Sequence, residues 1–227
     1  MKYKYLLFDL DGTLFDYDDA ELKALKQTFF DFGIKYRDTY LGVYQQINHD
    51  IWIDFEAGKI SQEKLKTERF SKLAAALEMD FNSFEFSHTY LQNLSKGTKL
   101  IKGAEKIVRY LSGKAKLVLI TNGLTAVQKP RIRHSSIGYY FEHIVISEEI
   151  GCAKPEKNIF DHTFMLLGDP DKNEVLIIGD SLTSDITGGS NYGIATCLFN
   201  PENLPHNSHP EPDFEIQRLT ELIPILS

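Results

Sequence analysis

The chain has 227 residues, 42% of them hydrophobic, with a formal net charge of −7 and two cysteines. That length supports a full core, read as one domain carrying an insertion, and the acidic balance leaves no general electrostatic footprint for nucleic acid or an anionic membrane. No apolar segment reaches the length of a membrane span, and the first residues lack the apolar stretch and cleavage site of a secretory signal, so a cytoplasmic protein is expected. Cys152 and Cys197 are too few and too far apart for a disulfide framework or a CxxC metal site, and are expected to be reduced and buried.

Residues 3–16, YKYLLFDLDGTLFD, form an apolar run that ends in two aspartates one residue apart and a Gly-Thr turn. Such a run reads as a strand buried on both faces, which puts Asp9 and Asp11 at its carboxyl end, where open α/β sheets bind ligands. Carboxylates this close repel unless a cation or a shared proton compensates, so a hard divalent metal is expected there. The plainer alternative is a polar turn with two solvated acids.

Residues 16–96 then take a helical period. Asp18 or Asp19 is expected to cap a first helix with Leu22, Leu25, Phe29 and Phe32 on one face, ended by Gly33. Tyr40, Val43, Tyr44, Ile47 and Ile51 mark a second, with Trp52 and Phe55 near its end and Gly58 after it. Ser61 caps a third carrying Leu65, Phe70, Leu73 and Leu77, and a fourth carries Phe84, His88, Leu91 and Leu94 before Gly97. Four amphipathic helices with short connections predict a small bundle whose aromatic stripe is core.

From Lys99 strands and helices alternate. A helix with Ala104, Ile107, Val108 and Leu111 inward precedes the strand LVLIT and the turn Asn122-Gly123; a helix over 125–136 has Pro130 either opening or kinking it. HIVIS, a helix over 158–167, VLIIGD, a short helix over 185–192 and a strand over 195–199 follow. Residues 200–212 read as a loop, 213–216 as an edge strand, and Leu219, Leu222 and Ile223 as the face of a last helix. This alternation predicts an α/β protein with a parallel sheet and helices on both faces.

Four segments place polar groups just after a predicted strand: Asp9 with Asp11, Thr121-Asn122-Gly123, Lys154, and Asp180 with Asp185. Parallel strands bring such positions to one edge of the sheet. Carboxylate oxygens suit Mg²⁺, and an ammonium, a hydroxyl and turn amides suit a phosphoryl group. Each residue also has a structural reading: Thr121 ending a strand, Lys154 as a solvated surface charge, Asp185 as a helix N-cap. His206 and His209 lack partner ligands and are read as solvated, and His88 as a packing or exposed residue.

Taken in order, Asp9-Leu10-Asp11-Gly12-Thr13, Thr121 in ITNG, Lys154 in CAKPEKNIF, and Asp180 with Asp185 in GDSLTSD resemble the four motifs of the haloacid dehalogenase superfamily of phosphohydrolases, over essentially the whole chain. The resemblance implies a Rossmann-like core at residues 1–15 and 97–227 and an all-helical C1 cap at 16–96. It implies that Asp9 is a nucleophile forming an aspartyl-phosphate and that Asp11 protonates the leaving oxygen and later activates water. Mg²⁺ would be held by Asp9, the main-chain carbonyl of Asp11 and Asp180, with Asp185 in the outer shell. Thr121, the amides of Asn122 and Gly123, and Lys154 would hold the phosphoryl oxygens. Asp11 separates the chain from dehalogenases, which lack it. Lys23, Lys26, Lys59 and Lys64 have charged neighbours that argue against a phosphonatase lysine. FDLDGTLFDYDDAE, ITNG, VISEEIGCAKPEKNIFD and GDSLTSDI look nearest to the pyrimidine nucleotidase subgroup, which implies a nucleoside 5′-monophosphate as substrate, although Pro130 departs from that subgroup's usual uninterrupted helix. A sugar-phosphate or broad phosphatase is the nearest alternative; a phospho-acceptor switch or a silent interaction module is more distant. Oligomeric state is not legible.

Overall fold

The computed structural model describes residues 1–207 and 209–226. The chain divides into two compact units, residues 1–17 with 98–227 and residues 18–97. The first carries six strands: β1 (Tyr5–Phe8), β2 (Lys116–Thr121), β3 (His143–Ile146), β4 (Val175–Gly179), β5 (Ala195–Phe199) and β6 (Phe214–Ile216). They form one parallel sheet in the order β3-β2-β1-β4-β5-β6. The order runs in opposite directions from β1 and β4, so the crevice beyond the tips of these two strands is the switch point where such sheets bind ligands.

The period of two along each strand sorts the core into two layers. Leu6, Phe8, Leu117, Leu119, Leu176 and Ile178 point to one face, where they meet Ile107, Val108 and Leu111 of α5 (Ala104–Leu111), Ile132 of α6 (Thr125–His134) and Leu222 and Leu226 of α10 (Leu222–Leu226). Leu7, Val118, Ile120, Val175 and Ile177 point to the other, against Ile159, Phe160 and Phe164 of α8 (Lys157–Leu167) and Tyr192 of α9 (Thr187–Tyr192). A single-turn helix, α7 (Ser147–Ile150), follows β3. Each fully buried aliphatic side chain contributes about 1.5–3 kcal/mol, so the two layers hold the strand tips rigidly.

The second unit consists of α1 (Tyr17–Asp31), α2 (Thr39–Glu56), α3 (Gln62–Ala76) and α4 (Ser83–Leu94). Its core is aromatic: Phe29, Tyr44, Phe70, Phe86 and Tyr90 are fully buried, with Tyr44 stacked on Phe70 at 5.6 Å and Phe70 against Tyr90 at 5.0 Å. Ser61 caps α3 as expected, accepting from Lys64 N.

Three details differ from the sequence expectation, and the place of Pro130 decides between the two it left open. Helix α1 starts at Tyr17, so Asp18 and Asp19 lie in its first turn, where negative charge complements the helix dipole, and neither is the cap. The inward face of α4 is Phe86, Ser87, Tyr90, Asn93 and Leu94, whereas Phe84 is 69% exposed and His88 is exposed with a bond to Gln92. Two aromatic choices two residues apart fit a helical period equally well on hydrophobicity alone; Asn82, accepting from Phe84 N and Glu85 N, sets the turn that selects between them. Pro130 lies inside α6 and does not open it. Cys197 is buried, but Cys152 is only partly so; both are free thiols.

Candidate active site

Asp9 immediately follows β1, and its amide donates to Ile178 O on β4 at 2.9 Å, which ties it to the switch point. Its side chain is nearly buried and faces Lys154, whose Nζ donates to Asp9 Oδ1 at 2.6 Å, Asp185 Oδ1 at 2.6 Å and Ile120 O at 2.8 Å. The ammonium thus has three oxygen acceptors at the end of β2. Asn122 fixes the Lys154 backbone from both sides: its Nδ2 donates to Lys154 O at 2.8 Å, and its Oδ1 accepts from Lys154 N at 2.8 Å.

Asp180 follows β4, and its Oδ1 accepts from the Thr13 hydroxyl at 2.8 Å. Carboxylate oxygens of Asp9, Asp180 and Asp185 lie within 4.8 Å of one another. Two glycines make this convergence possible. Gly12 has φ +83°, and a Cβ there would sit 2.3 Å from Asp180 Oδ2; a Cβ on Gly179 would sit 2.1 Å from Asp185 Oδ2. Asp185 lies within a π-helical turn, Leu182–Ile186, a form often found at functional sites. Ser181 caps that turn, and its amide donates to Asp185 Oδ2 at 3.2 Å.

Three carboxylates face one ammonium. Burial raises the Asp9 carboxyl well above its usual range; Lys154 opposes this, and the charges of Asp185 and Asp180 add to it. Asp180 is pushed up to about 7 by the protein packed around it and by Asp185, with the Thr13 hydroxyl opposing. Asp180 is open to solvent, which tempers the first cause and leaves the like charge of Asp185. For Lys154, burial alone would lower the pKa, but Asp185 and Asp9 reverse it and the ammonium is held protonated. The cluster has a deficit of positive charge that a divalent cation on hard oxygen ligands would relieve.

Helix α6 meets the site at Asp11 and Thr121. Asp11 is partly exposed; its Oδ2 accepts from Gln128 Nε2 at 2.6 Å and its Oδ1 from the buried Arg131 Nη1 at 2.5 Å. Thr121 is buried at the end of β2, and its Oγ1 accepts from Gly123 N at 3.1 Å and Gln128 Nε2 at 3.2 Å.

The sequence-derived residues Asp9, Lys154, Asp180 and Asp185 therefore converge, and Thr121 joins Asp11 through Gln128. Lys154 is 1% exposed, so it is not a solvated surface charge, and Asp185 is not the N-cap of α9: it lies inside the π turn capped by Ser181, and Ile186 holds the cap position of α9. The Gly123 amide is turned to Thr121 Oγ1, and the Asn122 side chain is a brace. His206 faces Glu215 at 3.4 Å in the loop before β6. Gln128 and Arg131 escaped the sequence reading, which named Thr13 within the first motif but gave it no role. The signal for the first two was their spacing of three on one helix face, a place where an arginine among apolar residues needs an acidic partner.

A profile of haloacid dehalogenase-like hydrolases matches residues 3–193. The chain is 34% identical over 229 residues to pyrimidine 5′-nucleotidase YjjG of Escherichia coli (strain K12), spanning 100% of this chain and 99% of that protein. It is likewise 34% identical over 227 residues to pyrimidine 5′-nucleotidase PynA of Streptococcus pneumoniae (strain ATCC BAA-255 / R6), spanning 100% and 96%. Among solved structures, YfnB of Bacillus subtilis, described as a HAD-hydrolase and crystallised with magnesium, superposes with a TM-score of 0.95 at 35% identity over 100% of both chains. With the parallel sheet, the acidic crevice and this match in hand, the chain belongs to the haloacid dehalogenase-like hydrolases and is a phosphohydrolase of that family.

Proposed function

We propose that the protein is a Mg²⁺-dependent phosphomonoesterase that hydrolyses nucleoside 5′-monophosphates through an aspartyl-phosphate. The observation that carries this reading is the convergence of the Asp9, Asp180 and Asp185 carboxylates at the sheet's switch point, with Lys154 paired to Asp9 and Asp185. The donor set fits Mg²⁺: Asp9, Asp180 and the main-chain carbonyl of Asp11 would hold it, and Asp185, already committed to Lys154 and Ser181 N, would act from the outer shell. When bound, the ion supplies charge neutralisation for the phosphoryl oxygens.

The chain's own groups do the rest. Lys154 engages Oδ1 of Asp9, and we assign Oδ2 as the attacking oxygen. Asp9 forms a bond to phosphorus as the bond to the leaving oxygen breaks, and Asp11 delivers a proton to that oxygen. In the second half, Asp11 takes a proton from water, the water oxygen bonds to phosphorus, and the Asp9–phosphorus link breaks to return the free carboxylate and inorganic phosphate. Thr121 and Lys154 balance the negative charge of the transferring group, which is where phosphoryl transfer draws most of its catalysis. The helical unit would serve as the cap that reads the rest of the substrate. A nucleotide is favoured by the full-length similarity to two pyrimidine 5′-nucleotidases.

The test is phosphate release with Mg²⁺ across a panel of pyrimidine and purine 5′-monophosphates and sugar phosphates. Preference for pyrimidine nucleotides is expected. Equal kcat/KM on sugar phosphates would replace the nucleotidase reading with a broad phosphatase.

A further inference from the structure

The chemistry above leaves two buried side chains of α6 without a role, Gln128 and Arg131, 1% and 0% exposed. Three apart on a helix, they face the same way. Arg131 Nη1 donates to Asp11 Oδ1 at 2.5 Å and to Gln128 Oε1 at 3.0 Å, while its guanidinium lies 5.1 Å from the Phe15 ring. Gln128 Nε2 donates to Asp11 Oδ2 at 2.6 Å and to Thr121 Oγ1 at 3.2 Å. Both oxygens of Asp11 are thus gripped from one helix. The grip also reaches the phosphate side. A hydroxyl has two acceptor positions and one proton. Thr121 Oγ1 already accepts from Gly123 N and Gln128 Nε2, so its proton is directed outward as a donor.

We propose that Gln128 and Arg131 are positioning residues: together they aim the Asp11 carboxylate for proton transfer, and Gln128 also commits the Thr121 hydroxyl to donate to the phosphoryl group. This inference rests on the phosphomonoesterase reading, with Asp11 as the proton carrier. A helix that merely needed anchoring to the loop after β1 could use one contact; here two donors meet the two oxygens of a single carboxylate, and one of them bridges to the phosphate-side hydroxyl.

Leaving-group dependence separates positioning from scaffolding. A nucleoside leaves as an alcohol and needs a proton, whereas p-nitrophenolate leaves without one. With uridine 5′-monophosphate, Arg131→Lys should lower kcat by about 10²-fold with KM unchanged, the scale of misplaced general acid–base chemistry. With p-nitrophenyl phosphate the first-turnover burst of p-nitrophenolate should keep its wild-type rate, whereas steady-state kcat falls because Asp11 also takes the proton from the water that resolves the aspartyl-phosphate. Gln128→Leu should show the same pattern, a lowered kcat with an unslowed p-nitrophenolate burst, and, through Thr121, a rise in KM on both substrates. Gln128→Leu keeps the test open if Arg131→Lys does not fold, which thermal melting monitors. A p-nitrophenolate burst slowed as much as turnover of uridine 5′-monophosphate, or no loss of kcat on either substrate, overturns the inference. A wild type that releases phosphate from neither substrate, nor from any other phosphomonoester, overturns the underlying reading instead.

Discussion

Two buried polar clusters in this molecule have opposite logic. In the helical unit, Glu21 accepts from Gln45 Nε2 at 3.0 Å and Asn48 Nδ2 at 3.3 Å, and Asn48 Oδ1 accepts from Arg69 Nη1 at 2.8 Å. One carboxylate and one guanidinium are linked through amides, and the Arg69 guanidinium packs on the rings of Phe70 and Tyr90 at 5.1 and 5.4 Å. At the strand tips, Asp9, Asp180 and Asp185 crowd one ammonium. The first network sets charge against charge and stiffens a bundle; the second is left short of positive charge, which protons on the crowded carboxyls or a bound cation would supply. A buried cluster is read as structural or functional by its charge balance and not by its burial.

Mutation should pull the two apart. Asp9→Asn is expected to reduce phosphate release by about 10⁴-fold or more, the scale of a lost nucleophile. The metal-free variant should melt at or above the wild-type temperature at pH 8, because one of the crowded charges is gone. A variant that melts lower would contradict the charge-deficit argument. Arg69→Met should do the reverse in kind: it strands a buried carboxylate network and should cost about 3–5 kcal/mol of stability, read by urea unfolding. A loss below about 1 kcal/mol would mean that Arg69 contributes packing alone.

Gly12→Ala sharpens the site side. Its φ of +83° and the 2.3 Å approach to Asp180 Oδ2 mean that the methyl group displaces the Asp180 carboxylate, a ligand in the proposed metal site. The Mg²⁺ concentration for half-maximal activity should rise about 10–100-fold, as disturbed metal surroundings do. An unchanged Mg²⁺ requirement would remove Asp180 from the metal site.

Acidity gives a gentler contrast. The Asp180 carboxyl is held above the 3.8 of the free side chain, with the like charge of Asp185 as a cause that solvent exposure does not remove, so over a window above that value the folded state holds more protons than the unfolded chain. Its contribution to stability therefore falls as pH rises through that window. Mg²⁺ competes with these protons and should raise the melting temperature more at pH 8 than at pH 5.5; equal shifts would exclude carboxylate ligation. The smallest effect is expected from Ser87→Ala in the helical unit. It removes a 2.7 Å bond to Lys66 O, worth about 1 kcal/mol, and should leave activity and Mg²⁺ dependence unchanged.

What could be read from the chain alone follows the same division. Strands β1, β2 and β4 announce themselves because a centre buried on both faces is written as unbroken apolar residues, and Asp9, Thr121 and Asp180 follow those runs directly. Lys154 was legible only through its motif, since nothing local distinguishes a buried lysine from a solvated one. The parts that stayed hidden depend on side chains meeting across long separations. Arg131 and Asp11 are 120 residues apart, and Thr13 and Asp180 are 167 apart. In α4, Phe84 and Phe86 compete for one inward position, and hydrophobicity does not choose between them.

The central place of β1 also governs when the protein can work. Asp9 and Asp11 are synthesised before the neighbours of β1, which begin at Lys116 and Val175, and Asp185 lies beyond both. A nascent chain lacking β4 holds the two opening aspartates with no Asp180 beside them and no crevice to receive a phosphate. Because domains fold as units once their long-range pairings are available, hydrolysis switches on only when the late strands dock. Activity regained during refolding should therefore track the insertion of β1 between β2 and β4, making turnover itself a clock for the last long-range step of assembly.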